Sequence, residues 1–160
     1  MLSYDYLWIN IRVKGGAYGC MSAVGRSGEG YFVSYRDPNV KESNDIYEGI
    51  PEYLEHFDAD ERDMTKYVIG TISELDTPLT PGLKGARGLS AWYSGVTDEM
   101  LKKEREQVLN AQPEDIRALA GIVREILKTG AVCVVGNEET IKKDKELFGT
   151  IRPLFNGTAG

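Results

Sequence analysis

LSYDYLWINIRVKGGAYGCMSAVGRSGEGYFVSYRDPN, residues 2–39, decides the architecture. Leu2, Tyr6, Ile9 and Val13 recur at helical spacing, and Leu7, Trp8 and Ile11 widen the apolar face. A helix this apolar expects neighbours on several sides, so it reads as an interior helix. Gly15-Gly16 stops it. Residues 17–24 then alternate, with Tyr18, Cys20, Ser22 and Val24 on one face and Met21 and Ala23 on the other. Residues 31–36 repeat the pattern. The glycine-rich loop Gly25–Gly30 between the two runs predicts a β-hairpin. Asp37-Pro38-Asn39 ends the second strand, because proline has no N–H for a ladder and favours a turn.

Outward from this core the chain is helical. Ile46, Ile50, Tyr53, Leu54 and Phe57 predict one helix. Asp58–Glu61 resembles a capping box opening another, with Met64, Val68, Ile72 and Leu75 inward. Residues 77–88, rich in Gly and Pro, read as a connection, followed by a short helix over Leu89–Tyr93. Thr97 caps a charged helix to Asn110. Pro113 starts a helix whose stripe is Ile116, Leu119, Ala120, Val123 and Leu127, and Gly130 closes it. Ala131–Val135 predicts a short buried strand. Asn137 caps a last helix to Phe148, and the tail Asn156–Gly160 reads as frayed. The expectation is one domain over residues 1–160: a helix and hairpin over 1–39, a helical region over 40–130, and a final strand, helix and tail over 131–160. Its class is α/β of the α+β type, a mostly antiparallel sheet packed against several helices. Three strands are few for so many helices, so the sheet is expected to be incomplete in this chain and finished by strands from elsewhere.

The charge balance narrows function. The chain has 160 residues and a net charge of −6, with no offsetting basic run. Nucleic acid and anionic membrane surfaces both ask for clustered Lys and Arg, so neither is expected as a partner. No apolar run approaches the roughly 20 residues that span a bilayer. Cys20 and Cys133 lie in apolar runs and read as buried free thiols, which suits a reducing cytoplasmic compartment, with an organelle lumen as the eukaryotic alternative.

The chemistry-bearing residues are few. His56 is the only histidine, and it reads as a surface or capping residue. A His-Glu-x-x-His zinc site needs two histidines one helical turn apart, so no metal site is expected in this chain. Glu52, Glu55, Asp58, Asp60, Glu61 and Asp63 read as a solvated face. What remains is Arg12 to Tyr18. Gly15 and Gly16 permit a sharp bend and the close approach of another backbone. Arg12 carries a fixed charge on a planar fork of donors, and Tyr18 a hydroxyl for a carbonyl. Together they could bind a peptide and stabilise developing oxyanion charge. A buried Arg capping helix carbonyls beside a packed Tyr would have the same spelling.

Tyr6–Gly19, read with Phe32–Asn39, Ile69–Ile72, Lys84-Gly85 and Gly95–Glu99, resembles the last part of presequence-protease-like zinc metallopeptidases of the pitrilysin/insulinase superfamily. The similarity runs in order over most of the chain. It implies a parent built of related α/β domains whose halves close around a chamber for unfolded peptides. It also implies a zinc site, inverted His-x-x-Glu-His, in an N-terminal half that this chain lacks. The last domain would bind no zinc but would supply Arg12 and Tyr18, with Gly15 and Gly16, to hold the peptide backbone and polarise the scissile carbonyl. The implied partners are a peptide substrate and the parent's N-terminal zinc-binding half. Read this way the chain is a piece of a longer protein, with Met1 an artificial start, and inactive alone. The alternative is a purely structural or interaction domain of an inactive superfamily member.

Overall fold

The computed structural model describes residues 1–25 and 28–154; Arg26 and Ser27 of the expected hairpin loop, and the tail, lie outside the described residues. Along the chain run a π-helix (Leu2–Lys14), β1 (Gly19–Val24), β2 (Gly30–Tyr35), α1 (Lys41–Glu48), α2 (Ile50–Glu55), α3 (Glu61–Leu75), α4 (Pro81–Tyr93), α5 (Asp98–Leu109), α6 (Pro113–Lys128), α7 (Glu138–Lys143) and a 3-10 turn (Lys145–Leu147). This is an α+β chain with an antiparallel hairpin. It divides into two compact units, Met1–His56 with Ala118–Gly160, and Phe57–Arg117. Among the described residues no helix is long and apolar enough to cross a membrane.

The first unit is organised by the π-helix. Gly15 N–H donates to Asn10 O at 3.0 Å, the i to i−5 step of that winding. Leu7 and Ile11 are fully buried, while Ile9 and Val13 are 40% and 63% exposed. Leu7 and Ile11, expected only to widen the apolar face, are thus its buried centre, and Leu2, Tyr6 and Trp8 are half-buried beside them; Ile9 and Val13 fall outside it, because the wider turn rotates residues away from their α-helical positions. Tyr6 locks the helix to its neighbours: its ring stacks on Tyr53 at 4.5 Å, and its hydroxyl donates to Ile46 O at 3.0 Å. The backbone turns at Gly49, where a Cβ would sit 2.6 Å from that hydroxyl. This turn splits the expected single helix into α1 and α2, with Ile50 and Leu54 buried.

In the hairpin Met21 pairs with Val33 and Ser22 with Phe32. Cys20, Ser22, Phe32 and Ser34 share a half-buried face, and the Ser3 and Ser22 hydroxyls meet at 3.3 Å, tying β1 to the π-helix. Met21, Tyr31, Val33 and Tyr35 on the opposite face are exposed. The stripe of α6 buries Ala120 and Val123 but leaves Leu119 exposed.

Ala131–Val135 is not the buried third strand its composition predicts. Among the described residues the sheet has two strands, and Val132, Val134 and Val135 are exposed. An apolar β-branched run becomes a strand only with a ladder partner. Here a cavity of about 680 Å³ is lined by both β2 and residues 131–136. Cys133 is accordingly exposed and Cys20 half-buried, so neither thiol is the buried one expected.

In the second unit Asp60, rather than Asp58, caps α3 by accepting from Asp63 N–H at 2.8 Å. Met64 is buried, and Val68, Ile72 and Leu75 are half-buried. Residues 81–88, expected as a connection, are helical. Thr80 accepts from Leu83 N–H and Pro81 occupies the first turn; there proline gives up no hydrogen bond. Its glycines only weaken the helix, by about 1 kcal/mol each. Thr97 caps α5 as expected. Arg105 pairs with Asp76 at 2.8 Å, and Arg117 Nη1 donates to Phe57 O at 2.6 Å.

Candidate functional site

The site begins with a backbone problem at the end of the π-helix. Gly16 N–H donates to Arg12 O at 3.0 Å and Ala17 N–H to Ile11 O at 3.1 Å, folding the chain back on its own helix. Gly15 has right-handed dihedrals (φ −81°, ψ −18°), which any residue adopts. Yet a Cβ there would lie 2.6 Å from Ile11 O, so glycine is required by closeness rather than by φ. Gly16, at φ +80°, is required by conformation. The turn buries Ala17 and turns Tyr18 outward, 63% exposed.

The segment Tyr35–Asn39 clamps this turn. Tyr18 N–H is shared between Tyr35 O at 3.1 Å and Arg36 O at 3.3 Å. The Asn39 side-chain amide donates to Gly15 O at 2.6 Å. Asn39 is in turn fixed by its own N–H to Asp37 Oδ1 at 2.9 Å, and Asp37 Oδ2 accepts from the Ser43 hydroxyl at 2.6 Å. The two stretches singled out in the sequence, Arg12–Tyr18 and Phe32–Asn39, are thus one stitched unit.

The side chains of Arg12 and Tyr18 have different neighbours. The Arg12 guanidinium carbon lies 3.9 Å over the Trp8 ring, one turn back on the same helix. Tyr18 meets Tyr35 edge-on, with centroids 5.9 Å apart. Arg36 lies above both rings, 5.7 Å from Tyr18 and 5.4 Å from Tyr35. Among the described residues neither Arg12 nor Arg36 has a carboxylate within ion-pair distance, whereas Arg105, Arg117 and Arg124 do. The Arg12 charge reaches inward to Cys20. Burial pushes that thiol above its ordinary value, Asp37 adds to the rise, and Arg12 opposes it.

Arg36 escaped the sequence reading. Its signal was its place between the last strand residue, Tyr35, and the Asp-Pro-Asn turn, where the backbone must leave the ladder; it does so at φ +49°. The remaining candidates are accounted for locally. His56 ends α2 exposed, with Nδ1 2.9 Å from Glu52 O. Asp60 caps α3, Asp63 pairs with Lys66 at 2.6 Å, and Arg124 holds the exposed Glu55 carboxyl below its ordinary range. Among the described residues no three His, Cys, Asp or Glu side chains group to hold a metal ion. The described residues therefore offer no such ligand set for zinc.

Comparison with known proteins gives this geometry a family. The model described as "PreP C-terminal domain" matches residues 1–138. "Protein HypA" of Clostridium perfringens is 49% identical over 155 residues, covering 97% of this chain and 16% of its own length. "Presequence protease 1, chloroplastic/mitochondrial" of Arabidopsis thaliana is 36% identical over 88% of the chain, and "Presequence protease, mitochondrial" of Danio rerio 32% over 90%. The chain spans 13 to 16% of the length of these three relatives. It belongs to the presequence protease C-terminal domain family, within the pitrilysin group.

Proposed function

We propose that this chain is the non-catalytic C-terminal part of a zinc-dependent peptidase that degrades unfolded peptides, and that Arg12 and Tyr18 form one wall of its peptide chamber. The observation that carries the reading is the anchored turn Gly15–Tyr18, which leaves an exposed phenol beside the last helical turn, where Arg12 stacks on Trp8 with no carboxylate in ion-pair distance among the described residues. A tyrosine hydroxyl can donate to a peptide carbonyl as charge develops on its oxygen. The Arg12 fork can hold further backbone carbonyls of the same peptide. Zinc belongs, in this reading, to the parent's N-terminal half, and this chain contributes orientation and a hydrogen bond. Free thiols at Cys20 and Cys133 suit a reducing compartment.

A second reading, an interaction domain without substrate contact, is favoured by the exposed Met21/Tyr31/Val33/Tyr35 face. Steady-state hydrolysis of an unfolded peptide by the full-length parent separates the two. Tyr18→Phe should lower kcat about 100-fold with zinc content unchanged, the range for loss of one oxyanion donor. Arg12→Ala should raise KM about tenfold with a smaller effect on kcat. Wild-type constants in both variants would refute the substrate-contacting role and leave the interaction domain.

A further inference from the structure

Arg36 grips Tyr18 at two points. Its carbonyl accepts from the Tyr18 N–H at 3.3 Å, and its guanidinium carbon lies 5.7 Å from the Tyr18 ring centroid. A cation within about 6 Å of an aromatic face is attracted by the ring quadrupole. The second ring under the same cation, Tyr35, meets Tyr18 edge-on at 87°. The three side chains restrain one another, and the ring bearing the free hydroxyl is held from above and from one edge.

The backbone makes this placement costly. Arg36 is the one non-glycine among the described residues with positive φ, at +49°. Glycine, asparagine or aspartate would take that conformation with less strain. Strain retained by a long charged side chain points to work done by that side chain. Arg36 is exposed and has no carboxylate partner among the described residues, so ion pairing does not account for it.

We infer that Arg36 is the positioning residue for Tyr18, fixing the ring so that its hydroxyl meets a peptide carbonyl without first losing rotational freedom. This rests on the chamber-wall reading of Tyr18 given above. Arg36 itself acts through Tyr18 and contacts no reacting atom.

The test uses the full-length parent with an unfolded peptide, in Arg36→Gly and Arg36→Asn, both of which suit the left-handed backbone. Each should lower kcat about tenfold while KM moves less than about twofold. Their unfolding temperatures should stay at or above that of the wild type, because the strain is relieved. In a Tyr18→Phe background neither substitution should lower kcat further. A wild-type kcat in Arg36→Gly and Arg36→Asn overturns the inference, as does an equal loss with or without the Tyr18 hydroxyl. An undiminished kcat in Tyr18→Phe alone would instead refute the chamber-wall reading, so the two failures are distinguishable.

Discussion

Replacing Gly15 with alanine should destabilise the chain, although its dihedrals say the opposite. At φ −81° and ψ −18° a Gly→Ala change ordinarily stabilises by about 0.4–1 kcal/mol, because the unfolded chain loses freedom. Here the new methyl would lie 2.6 Å from Ile11 O and 3.1 Å from Asn10 O. Those two carbonyls accept the Ala17 and Gly15 N–H groups that close the turn. Relieving the contact means lengthening or losing both hydrogen bonds. Each is worth about 1 kcal/mol net, and the amide of buried Ala17 would cost more if left unpaired. Subtracting the backbone gain leaves a loss of about 1–2 kcal/mol. Equilibrium urea unfolding reads this directly. With a slope of about 2 kcal/mol per molar, the midpoint should fall by about 0.5–1 M. Gly15→Asn should be as damaging, whereas Gly16→Asn should be mild, since Gly16 is constrained by its φ of +80° with its nearest neighbour at 3.9 Å. A midpoint in Gly15→Ala equal to or above that of the wild type would refute the close-approach argument.

Two further outcomes follow from the same contacts. Asn39→Ala removes the 2.6 Å bond to Gly15 O and should cost about 1 kcal/mol in urea unfolding; in the parent it should raise KM for peptide, because the turn is no longer held against the Asp37–Asn39 loop. Tyr47 is pushed up to about 12, chiefly by burial, with Asp37 and Cys20 adding to the rise and the nearby Ser34 side chain opposing it. Among the described residues its enclosed hydroxyl meets no partner with hydrogen-bond geometry. The fold therefore favours the neutral phenol: this contribution is intact below the ordinary value of 10.0 and is lost as pH rises towards about 12. Stability followed by circular dichroism should fall across that window, and less so in Tyr47→Phe; equal alkaline sensitivity in the two proteins would count against Tyr47 as the source.

Much of the local architecture was legible in the sequence because local chemistry specifies it. Thr97 and Asn137 cap helices by accepting from their own N-terminal amides, a decision made within a few residues. The alternation through Cys20–Val24 and Tyr31–Tyr35 fixed the hairpin for the same reason. The misses depend on distance or on winding. Ala131–Val135 carries strand composition, but strand formation needs a partner that no local pattern supplies. Pro81 and its glycines have the composition of a loop, but the Thr80 cap turns the same proline into a helix start. In the first helix Leu7 and Ile11, part of the expected apolar face, are buried, while Ile9 and Val13 of the same face are exposed, because a π-winding does not announce itself in apolar spacing. At the site, Gly15, Gly16, Arg12 and Tyr18 stood out by type and order. The clamp from Asp37, Asn39 and Arg36 joins residues about 20 positions apart, so it emerged only from the fold.

The claim that Tyr18 faces bound peptide is tested most directly by placing a photo-crosslinker there. Full-length parent carrying p-benzoylphenylalanine in place of Tyr18 would be irradiated with a labelled unfolded peptide, with Tyr31, also exposed on the hairpin, substituted as the control. The account expects labelled peptide attached at position 18, suppressed by excess unlabelled substrate, and little attached at position 31. Attachment at position 18 no greater than at position 31, or undiminished by competing substrate, would contradict it.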